Sequence, residues 1–370
     1  MNLHKSRIGL ALSGGGIRAA IFHLGALQYF AEAGLFKRIA NISSVSGASL
    51  AMGVILAANG NKWPTEEEFL LTIQPAVRTL MIENNIQASA LRRLPFSPRY
   101  WRHRVNLLAK MLEEKWHIRS NIQDLPAYPY WEINCTTFET GNNFRIRRDY
   151  MGDGTIGYVQ NPSLPISHMI AASAAFPVLI GPYILQTGGF RWTKDKYGKI
   201  PQTPSLVNDH YTLWDGGVYD NLGIDPLYTT GRGLDDEIDF LIVSNASAFT
   251  RHQLRRGNIS LANLRRLLDI SMHQVDVLRS RQVLSSIIRN GKGMYLKIGL
   301  TGTYIADILK IPHGKIDTGS LSEEDAAKVR DYPTTLNSPS QHNFDLIFRH
   351  GYENARCVHG FWEISSGECG

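Results

Sequence analysis

Two apolar segments near the N-terminus each run into a turn of small residues and then into a helical pattern. This repeat limits the possible folds more than any other feature. Residues 8–13 have strand length and are followed by three glycines before a helical pattern over residues 17–33. Residues 39–45 meet Ser46 and Gly47 before a second apolar helical stretch. Consecutive strand, turn and helix units predict an α/β fold with a mostly parallel sheet, because parallel strands need crossover connections. In such sheets ligands bind at the carboxyl ends of the strands.

The middle of the chain adds a helical insertion and further strands. Residues 63–129 have helical spacing and carry many arginines, which predicts an inserted helical cap. A hairpin is expected where two apolar segments flank Gly141, and a buried strand is expected at residues 238–244. Residues 181–210 are rich in Gly, Pro, Thr and Lys, so they predict an irregular surface excursion.

Residues 1–370 are expected to form a single domain. With 43% hydrophobic and 19% charged residues, the chain is neither disordered nor collagen-like. The core motifs lie in residues 7–245, and residues from about 251 to 370 are expected to form a helical C-terminal extension. Within it, apolar residues recur at helical spacing from 261 to 288.

Charge and cysteine content narrow the function classes. Lys and Arg exceed Asp and Glu by 39 to 33, a mild basic excess that favours anionic partners without choosing among them. Three scattered cysteines form neither a disulfide framework nor a CxxC pair, so a cytoplasmic setting is expected. No apolar run reaches the roughly 18 residues of a spanning helix, and the run at residues 8–12 is too short for a signal peptide. Export without a cleavable signal stays open.

Ser49 is the candidate nucleophile in a Gly-x-Ser-x-small sequence between a strand and a helix. A serine on such a sharp turn exposes its hydroxyl above the sheet, with the helix N-terminus behind it. The usual elbow ends in glycine, whereas Ala51 stands here. The alternative is that the segment only caps a helix, because serine is a favoured N-cap residue.

The glycine triplet Gly14, Gly15 and Gly16 predicts an anion cradle at a helix N-terminus. A phosphate-binding loop is disfavoured because no Gly-Lys-Ser or Gly-Lys-Thr follows. An oxyanion hole fits better, and close packing of backbone on the strand is the alternative.

Asp215 precedes Gly216 and Gly217 and follows a short apolar stretch, so it can serve as a base in a loop that other segments approach closely. Taken alone, an Asx-turn explains an Asp-Gly pair better. The combination with the other two motifs favours the base.

The three motifs, in this order and each after a strand, resemble the patatin-like phospholipase family, whose acyl hydrolases use a serine–aspartate dyad. Two further stretches are similar to that family: residues 170–177, a small-residue helix ending in proline, and residues 220–223 after the aspartate. The similarity spans roughly residues 7–245, and residues 346–355 match the closing helix of bacterial members more loosely. It implies a three-layer α/β/α fold with a mostly parallel central sheet and a helical insertion.

The resemblance also implies a function and residue roles. The chain would be a lipid acyl hydrolase of phospholipase A type that cleaves carboxylic ester bonds of phospholipids, with Ser49 as nucleophile and Asp215 as general base. No metal or other cofactor is implied. The oxyanion-hole group is Gly14, Gly15, Gly16 and Arg18, where Arg18 orders the loop, and the supporting positions are Gly47, Ala51, Gly216 and Gly217.

Several alternatives remain beside this interpretation. An α/β-hydrolase esterase with a Ser-Asp-His triad is one, since histidines that follow Asp215 in the required order include His273, His313, His342, His350 and His359. A catalytically silent lipid-binding protein of the same fold is another. A nucleic-acid partner is not expected, because the basic run from Arg251 to Lys297 comes without a groove-reading or base-stacking motif.

A membrane phospholipid or another lipid ester is the expected partner, with peripheral contact to the membrane surface. The insertion at residues 63–129 carries leucines and aromatic residues among arginines, which predicts a lid that covers the active site and meets lipid. An ordinary packed insertion is the alternative. The sequence leaves the head group, the ester position, any activator, the oligomeric state and the biological role open.

Overall fold

The computed structural model describes residues 3–177, 180–201, 208–248, 261–312, 314 and 317–366. Its strands are β1 (Ile8–Leu12), β2 (Ile39–Val45), β3 (Tyr130–Thr137), β4 (Asn143–Ile146), β5 (Tyr150–Asp153), β6 (Gly157–Gln160), β7 (Tyr183–Gln186), β8 (Trp192–Thr193), β9 (His210–Asp215), β10 (Tyr228–Thr229), β11 (Gly233–Leu234), β12 (Phe240–Asn245) and β13 (Gly293–Lys297). Its α-helices are α1 (Gly16–Glu32), α2 (Gly47–Ala58), α3 (Glu66–Glu68), α4 (Gln74–Glu83), α5 (Ile86–Arg93), α6 (Arg104–Lys115), α7 (Ile166–Ser173), α8 (Gly217–Asp220), α9 (Leu261–Val283), α10 (Gly302–Leu309), α11 (Glu323–Asp331) and α12 (Gln341–Ser366).

The centre of the fold is a parallel sheet in the order β13, β12, β1, β2, β3. Beyond β3 the sheet continues as antiparallel strands β4, β5, β6 and β8, while β9 pairs with β3 and β7. The predicted α/β fold with a mostly parallel central sheet is therefore confirmed. The predicted hairpin around Gly141 and the predicted strands at residues 8–13, 39–45 and 238–244 are present within a residue or two.

Helices cover both faces of the sheet. Successive strand residues point to opposite sides, so a strand that is apolar throughout presents an apolar surface on each face. On β1, Leu10 and Leu12 belong to a large core with α1, α2 and α12. Ala11 belongs to a second core with Val283, the last residue of α9, and Ile287 of the π-helical turn that follows it. β1 itself is buried along its whole length. The three-layer α/β/α arrangement follows from this alternation.

Two regions differ from their predictions. The range 181–210 is not only an irregular excursion, since β7 and β8 lie within it and pair with the main sheet; residues 202–207 lie outside the described residues. The extension from residue 251 is not only helical, because β13 adds a parallel strand beside β12. Pattern alone missed β13 since its five residues follow directly on a long helical stretch. Residues 251–260 lie outside the described residues.

The insertion at residues 63–129 contains α3 to α6 and short 3₁₀ and π turns. Its base packs on α2 and α7, with buried Val77, Met81, Leu108 and Leu112. This packing makes the base of the insertion part of the core.

The last helix, α12, packs along α1 at very close range. A Cβ atom on Gly25 of α1 would overlap the carbonyl of Phe348, and one on Gly351 of α12 would overlap the carbonyl of Phe22. Glycine at both positions lets the two backbones touch. No helix of the described residues is long and apolar enough to cross a membrane.

Candidate active site

Ser46 occupies the sharp turn between β2 and α2. Its backbone has φ 51° and ψ −112°, a strained conformation for a residue with a side chain. The strand ends at Val45 and the helix begins at Gly47, so the turn consists of this one residue. A sharp turn of this kind between a strand and a helix lifts its central side chain above the sheet, and Ser46 is partly exposed.

Gly47 allows the elbow to touch the glycine-rich loop after β1. A Cβ atom at this position would overlap the carbonyl oxygen of Gly16. A side chain here would push the two loops apart, so the predicted support role of Gly47 has a steric basis.

Asp215 lies at the end of β9 with an exposed fraction of 2%, and the Ser46 side chain lies near enough to its carboxylate to affect its pKa. The backbone N–H of Gly217 donates to Asp215 Oδ1 at 2.7 Å. Burial raises the pKa of the Asp215 carboxyl to about 6, while the Gly217 N–H and the Ser46 side chain oppose the rise. The carboxylate is therefore a stronger base than an exposed aspartate and is still mostly ionised at neutral pH.

The two glycines after Asp215 hold the loop against its neighbours. A Cβ atom on Gly216 would overlap the carbonyl oxygen of Asn134, and one on Gly217 would lie 2.7 Å from Asn221 Oδ1. Asn221 also accepts the N–H of Gly14 on its backbone carbonyl at 3.0 Å. The aspartate loop and the glycine loop are thus joined through Asn221.

Ser49 does not lie beside Asp215, contrary to the expected pairing. It is fully buried one turn into α2, and its hydroxyl bonds Ser44 Oγ at 2.9 Å and Ser173 Oγ at 3.0 Å. The Gly-x-Ser pattern predicts Ser49. The serine beside Asp215 is instead Ser46, and the sequence feature that marks it is its position directly after a buried strand and before a glycine.

The Ser49 hydroxyl belongs to a chain of hydrogen bonds with one consistent direction. Ser173 donates to the carbonyl of Asn134 at 2.8 Å, so it can only accept from Ser49. Ser49 must then accept from Ser44, which in turn accepts the indole N–H of Trp131 at 2.8 Å. Ser173 also accepts the backbone N–H of Ser46 at 3.0 Å. These hydrogen bonds therefore hold the backbone of the elbow at Ser46 in place.

Replacing Ser49 by alanine is expected to lower the free energy of unfolding by about 1–3 kcal/mol, because buried Ser44 and Ser173 would each lose a partner. Chemical denaturation measures the change. Thr79→Ala is the matched control, since its hydroxyl bonds a carbonyl on an exposed helix surface. Equal stability of Ser49→Ala and wild type would contradict the assigned chain.

The glycine loop places backbone N–H groups beside Ser46. Gly15 and Gly16 have φ 147° and 64°, which favour glycine, and their N–H groups have no backbone acceptor within the described residues. Gly14 was expected to be one of the donors, but its N–H already donates to the Asn221 carbonyl. A Cβ atom there would lie 3.3 Å from Ser46 Cβ, so Gly14 instead makes room for the serine.

Arg18 holds a segment of the C-terminal part against the start of α1. Its guanidinium donates to the carbonyls of Arg330 and Tyr332, and burial lowers its pKa to about 10, so it stays charged. The same segment places the Thr335 carbonyl on the N–H of Ile17 at 2.8 Å. Arg18 and Ile17 thus link the start of α1 to residues 330–335.

The described residues give Asp215 no histidine partner: its carboxylate accepts the Gly217 N–H and lies beside the Ser46 side chain. His350 accepts the N–H of Gly299, and His23 bonds the Ser13 carbonyl and the Ser244 hydroxyl. His313 lies outside the described residues. Nothing in this geometry favours a Ser-Asp-His triad. Nor do the described residues hold a group of three or more His, Cys, Asp or Glu placed for a metal.

Ala51 lies within α2 and is fully buried, so the predicted elbow-glycine position is an interior helix position.

Asp276 of α9 is a buried acidic residue next to the aspartate loop that the sequence did not predict there. It lies 3.4 Å from Asn221 Nδ2, and burial raises the pKa of its carboxyl to about 6. A lone aspartate in an amphipathic helix carries no sequence signal for such a position.

Comparison with known proteins was made against families and solved structures. A family model described as patatin-like phospholipase matches residues 10–228, more than half of the chain. Among curated proteins the search finds no significant match.

Three solved structures illustrate the similarity of fold. The structure of human GIVD cytosolic phospholipase A2 aligns with a TM-score of 0.56 and 13% identity, covering 97% of this chain and 62% of that chain. The same human protein in complex with methyl gamma-linolenyl fluorophosphonate gives 0.50 and 14%, covering 97% and 58%. VipD from Legionella pneumophila gives 0.41 and 14%, covering 95% and 67%. The chain thus spans about three fifths of the length of the human protein.

Proposed function

Because the chain belongs to the patatin-like phospholipase family, we propose that it hydrolyses carboxylic ester bonds of phospholipids, with Ser46 as nucleophile and Asp215 as general base. Ser46 takes the role that the sequence analysis gave to Ser49. The observation that carries the proposal is the Ser46 side chain on a strained elbow, beside the buried Asp215 carboxylate whose pKa it lowers.

In the first half of the reaction, Ser46 Oγ attacks the ester carbonyl carbon while its proton passes to the Asp215 carboxylate. The carbonyl oxygen becomes an oxyanion. When the bond to the leaving alcohol breaks, Asp215 returns the proton to the departing oxygen, which leaves an acyl group on Ser46. In the second half, water attacks the acyl carbon and gives a proton to Asp215. Ser46 then leaves with that proton and the fatty acid is released.

The oxyanion is proposed to bind the N–H groups of Gly15 and Gly16. Both groups lie at the N-terminus of α1, where the helix dipole favours negative charge. Gly16 also contacts the elbow through Gly47, and this close approach supports the proposal. Fixed backbone donors of this kind stabilise charge that develops only in the transition state.

The raised pKa of Asp215 supports its role as the base. A carboxylate with a usual pKa near 4 is a weak acceptor for a hydroxyl proton. Burial brings the pKa to about 6, which strengthens the base while leaving it mostly ionised at pH 7. The site then works without a histidine.

The substrate is proposed to be reached at a bilayer surface, with the protein bound peripherally. The direct test incubates the protein with phospholipid vesicles and follows free fatty acid and lysophospholipid by mass spectrometry. Release of both supports the proposal. Release of neither, together with no labelling of the folded protein by a fluorophosphonate, would favour the alternative of a lipid-binding protein that has lost catalysis.

The rate on a soluble short-chain ester is expected to rise with pH through a midpoint of about 6 and then to level off. Asp215 accepts a proton only when ionised, so the rate falls about tenfold per pH unit below that midpoint. Measuring kcat/KM from pH 4 to 8, with circular dichroism at each pH, tests this expectation.

Asp276→Asn is the control for the pH profile. Asp276 has a similarly raised pKa because it is buried, yet it contacts Asn221 and Ser247 rather than Ser46. The midpoint near 6 is expected to persist in this variant. A wild-type midpoint near 4, or one that moves with Asp276, would contradict the assignment to Asp215.

A further inference from the structure

The end of the insertion, residues 91–104, exposes large apolar side chains at the surface. Phe96 is 86% exposed, Leu91 61% and Trp101 57%. These residues follow one another through the end of α5 and two 3₁₀ turns, Leu94–Phe96 and Pro98–Tyr100. We call residues 91–104 the tip segment. Large exposed aromatic and aliphatic side chains in one short segment mark an interaction surface.

The tip segment is also strongly basic. It contains five arginines and neither aspartate nor glutamate. Arg93 pairs with Glu114 at 2.7 Å, and Arg99 lies over the Tyr100 ring at 4.7 Å. Within the described residues, Arg92, Arg99 and Arg102 have no salt-bridge partner. Three positive charges of the segment are therefore available to bind an anion.

The tip segment is held in shape by its own contacts. The Trp101 indole N–H donates to the carbonyl of Leu94 at 2.9 Å, so the polar end of the indole is satisfied while the ring remains exposed. On either side, buried Ile86 and Val105 fix the helices that enter and leave the segment. Little ordering is then needed when the apolar side chains meet a partner.

The helix that leads to the tip segment also reaches the glycine loop. Gln87 of α5 accepts from the Thr335 hydroxyl at 2.9 Å and from the Leu336 N–H at 2.8 Å. The Thr335 carbonyl accepts the N–H of Ile17 at the start of α1. Six residues of helix separate Gln87 from Arg93, a rise of about 9 Å. The tip segment is thus linked through α5 and residues 335–336 to the start of α1, where the glycine loop ends.

We propose that the tip segment anchors the protein to an anionic phospholipid surface, with Leu91, Phe96 and Trp101 inserted at the headgroup boundary and the arginines on lipid phosphates. Charge complementarity and the amphipathic aromatic residues commit the surface to this partner. The use of the anchor rests on the proposed function, because it brings the esters of the bilayer to Ser46. Binding itself does not depend on hydrolysis.

Vesicles of ether-linked phospholipids test the anchor without turnover, because they contain no carboxylic ester. Binding of the full chain to vesicles with ether-linked phosphatidylglycerol, followed by co-sedimentation, is expected to exceed binding to neutral ether-linked phosphatidylcholine. Replacing Arg92, Arg99 and Arg102 by glutamine is expected to weaken binding to the anionic vesicles roughly 100-fold, at about fivefold per arginine. Phe96→Ala with Trp101→Ala is expected to weaken it at least tenfold.

Matched controls change the same charge and the same kind of side chain elsewhere. Arg281, Arg289 and Lys292 are exposed and are replaced together by glutamine, and exposed Leu264 and Leu267 of α9 are replaced by alanine. Both controls should change vesicle affinity less than fivefold. Losses equal to those of the tip variants would overturn the proposal, as would a lack of vesicle binding in wild type. A dimer abolished by the Phe96 and Trp101 changes would identify a second copy as the partner instead.

Hydrolysis of a soluble short-chain ester separates the anchor from the proposed function. The tip variants are expected to keep this activity within about twofold, since the segment does not touch Ser46 or Asp215. Vesicle binding without ester hydrolysis in wild type would refute the proposed function and leave the anchor standing. Ester hydrolysis with tip-independent vesicle binding would refute the anchor alone.

Discussion

Ser46→Ala is expected to abolish both ester hydrolysis and labelling by a fluorophosphonate, with turnover at least about 10⁴-fold below wild type. The hydroxyl that Asp215 activates would be gone, and the described residues offer Asp215 no second hydroxyl partner. The backbone of the elbow should tolerate alanine as well as serine, since neither side chain is branched at Cβ. Turnover of a soluble ester and in-gel labelling measure the effect.

Ser49→Ala is the decisive comparison for this first prediction. Its hydroxyl is buried and engaged with Ser44 and Ser173, so the variant should lose stability yet retain labelling. Fragmentation of the labelled peptide by mass spectrometry should place the adduct on residue 46. Labelling that persists in Ser46→Ala and disappears in Ser49→Ala would restore the assignment made from the sequence.

Asp215→Asn is expected to lower turnover about 10²–10⁴-fold, the usual contribution of a general base. Asparagine has the same shape and can still accept the Gly217 N–H, but it cannot take the Ser46 proton. Asp276→Asn is the matched control because that carboxyl is similarly buried and does not contact Ser46. Turnover of Asp215→Asn within tenfold of wild type would contradict the role of the base.

The same Asp215→Asn substitution should increase the stability of the fold relative to wild type, and this increase should be larger at neutral pH than at acid pH. A carboxyl whose pKa rises on folding loses stability as the pH increases from its unfolded value near 4 to its folded value of about 6. Asparagine has no such loss, so the variant should gain up to about 3 kcal/mol over wild type between pH 4 and pH 8. Chemical denaturation at the two pH values measures this gain. No gain would show that ionised Asp215 is not disfavoured in the folded protein.

The sequence was enough to predict the architecture and the three loops, because strand, turn and helix repeat where the chain must cross over. It was not enough to choose between Ser46 and Ser49, which lie three residues apart on the same motif. The distinction depends on backbone torsion at residue 46 and on burial of residue 49, which residue spacing does not encode. The familiar Gly-x-Ser spacing favoured the wrong position relative to Asp215.

Long-range contacts account for the other differences. Arg18 was expected to support the glycine loop, and its guanidinium lies beside Gly15, but the carbonyls it binds lie more than 300 positions later in the chain. The Gly14 N–H was counted as a donor, yet it is satisfied by Asn221 from the aspartate loop. Both contacts join segments that are distant in sequence, so local patterns cannot reveal them.

The tight packing of α12 on α1, with Gly25 and Gly351 in backbone contact, bears on where this protein can be divided. The family match ends at residue 228, and all three chemical motifs lie before residue 218. A fragment that ends at residue 245 would nevertheless expose the face of α1 that α12 covers and leave β12 as an open sheet edge. We expect such a fragment to aggregate rather than act as a minimal enzyme, because the segment that completes its core lies more than a hundred residues beyond its last motif.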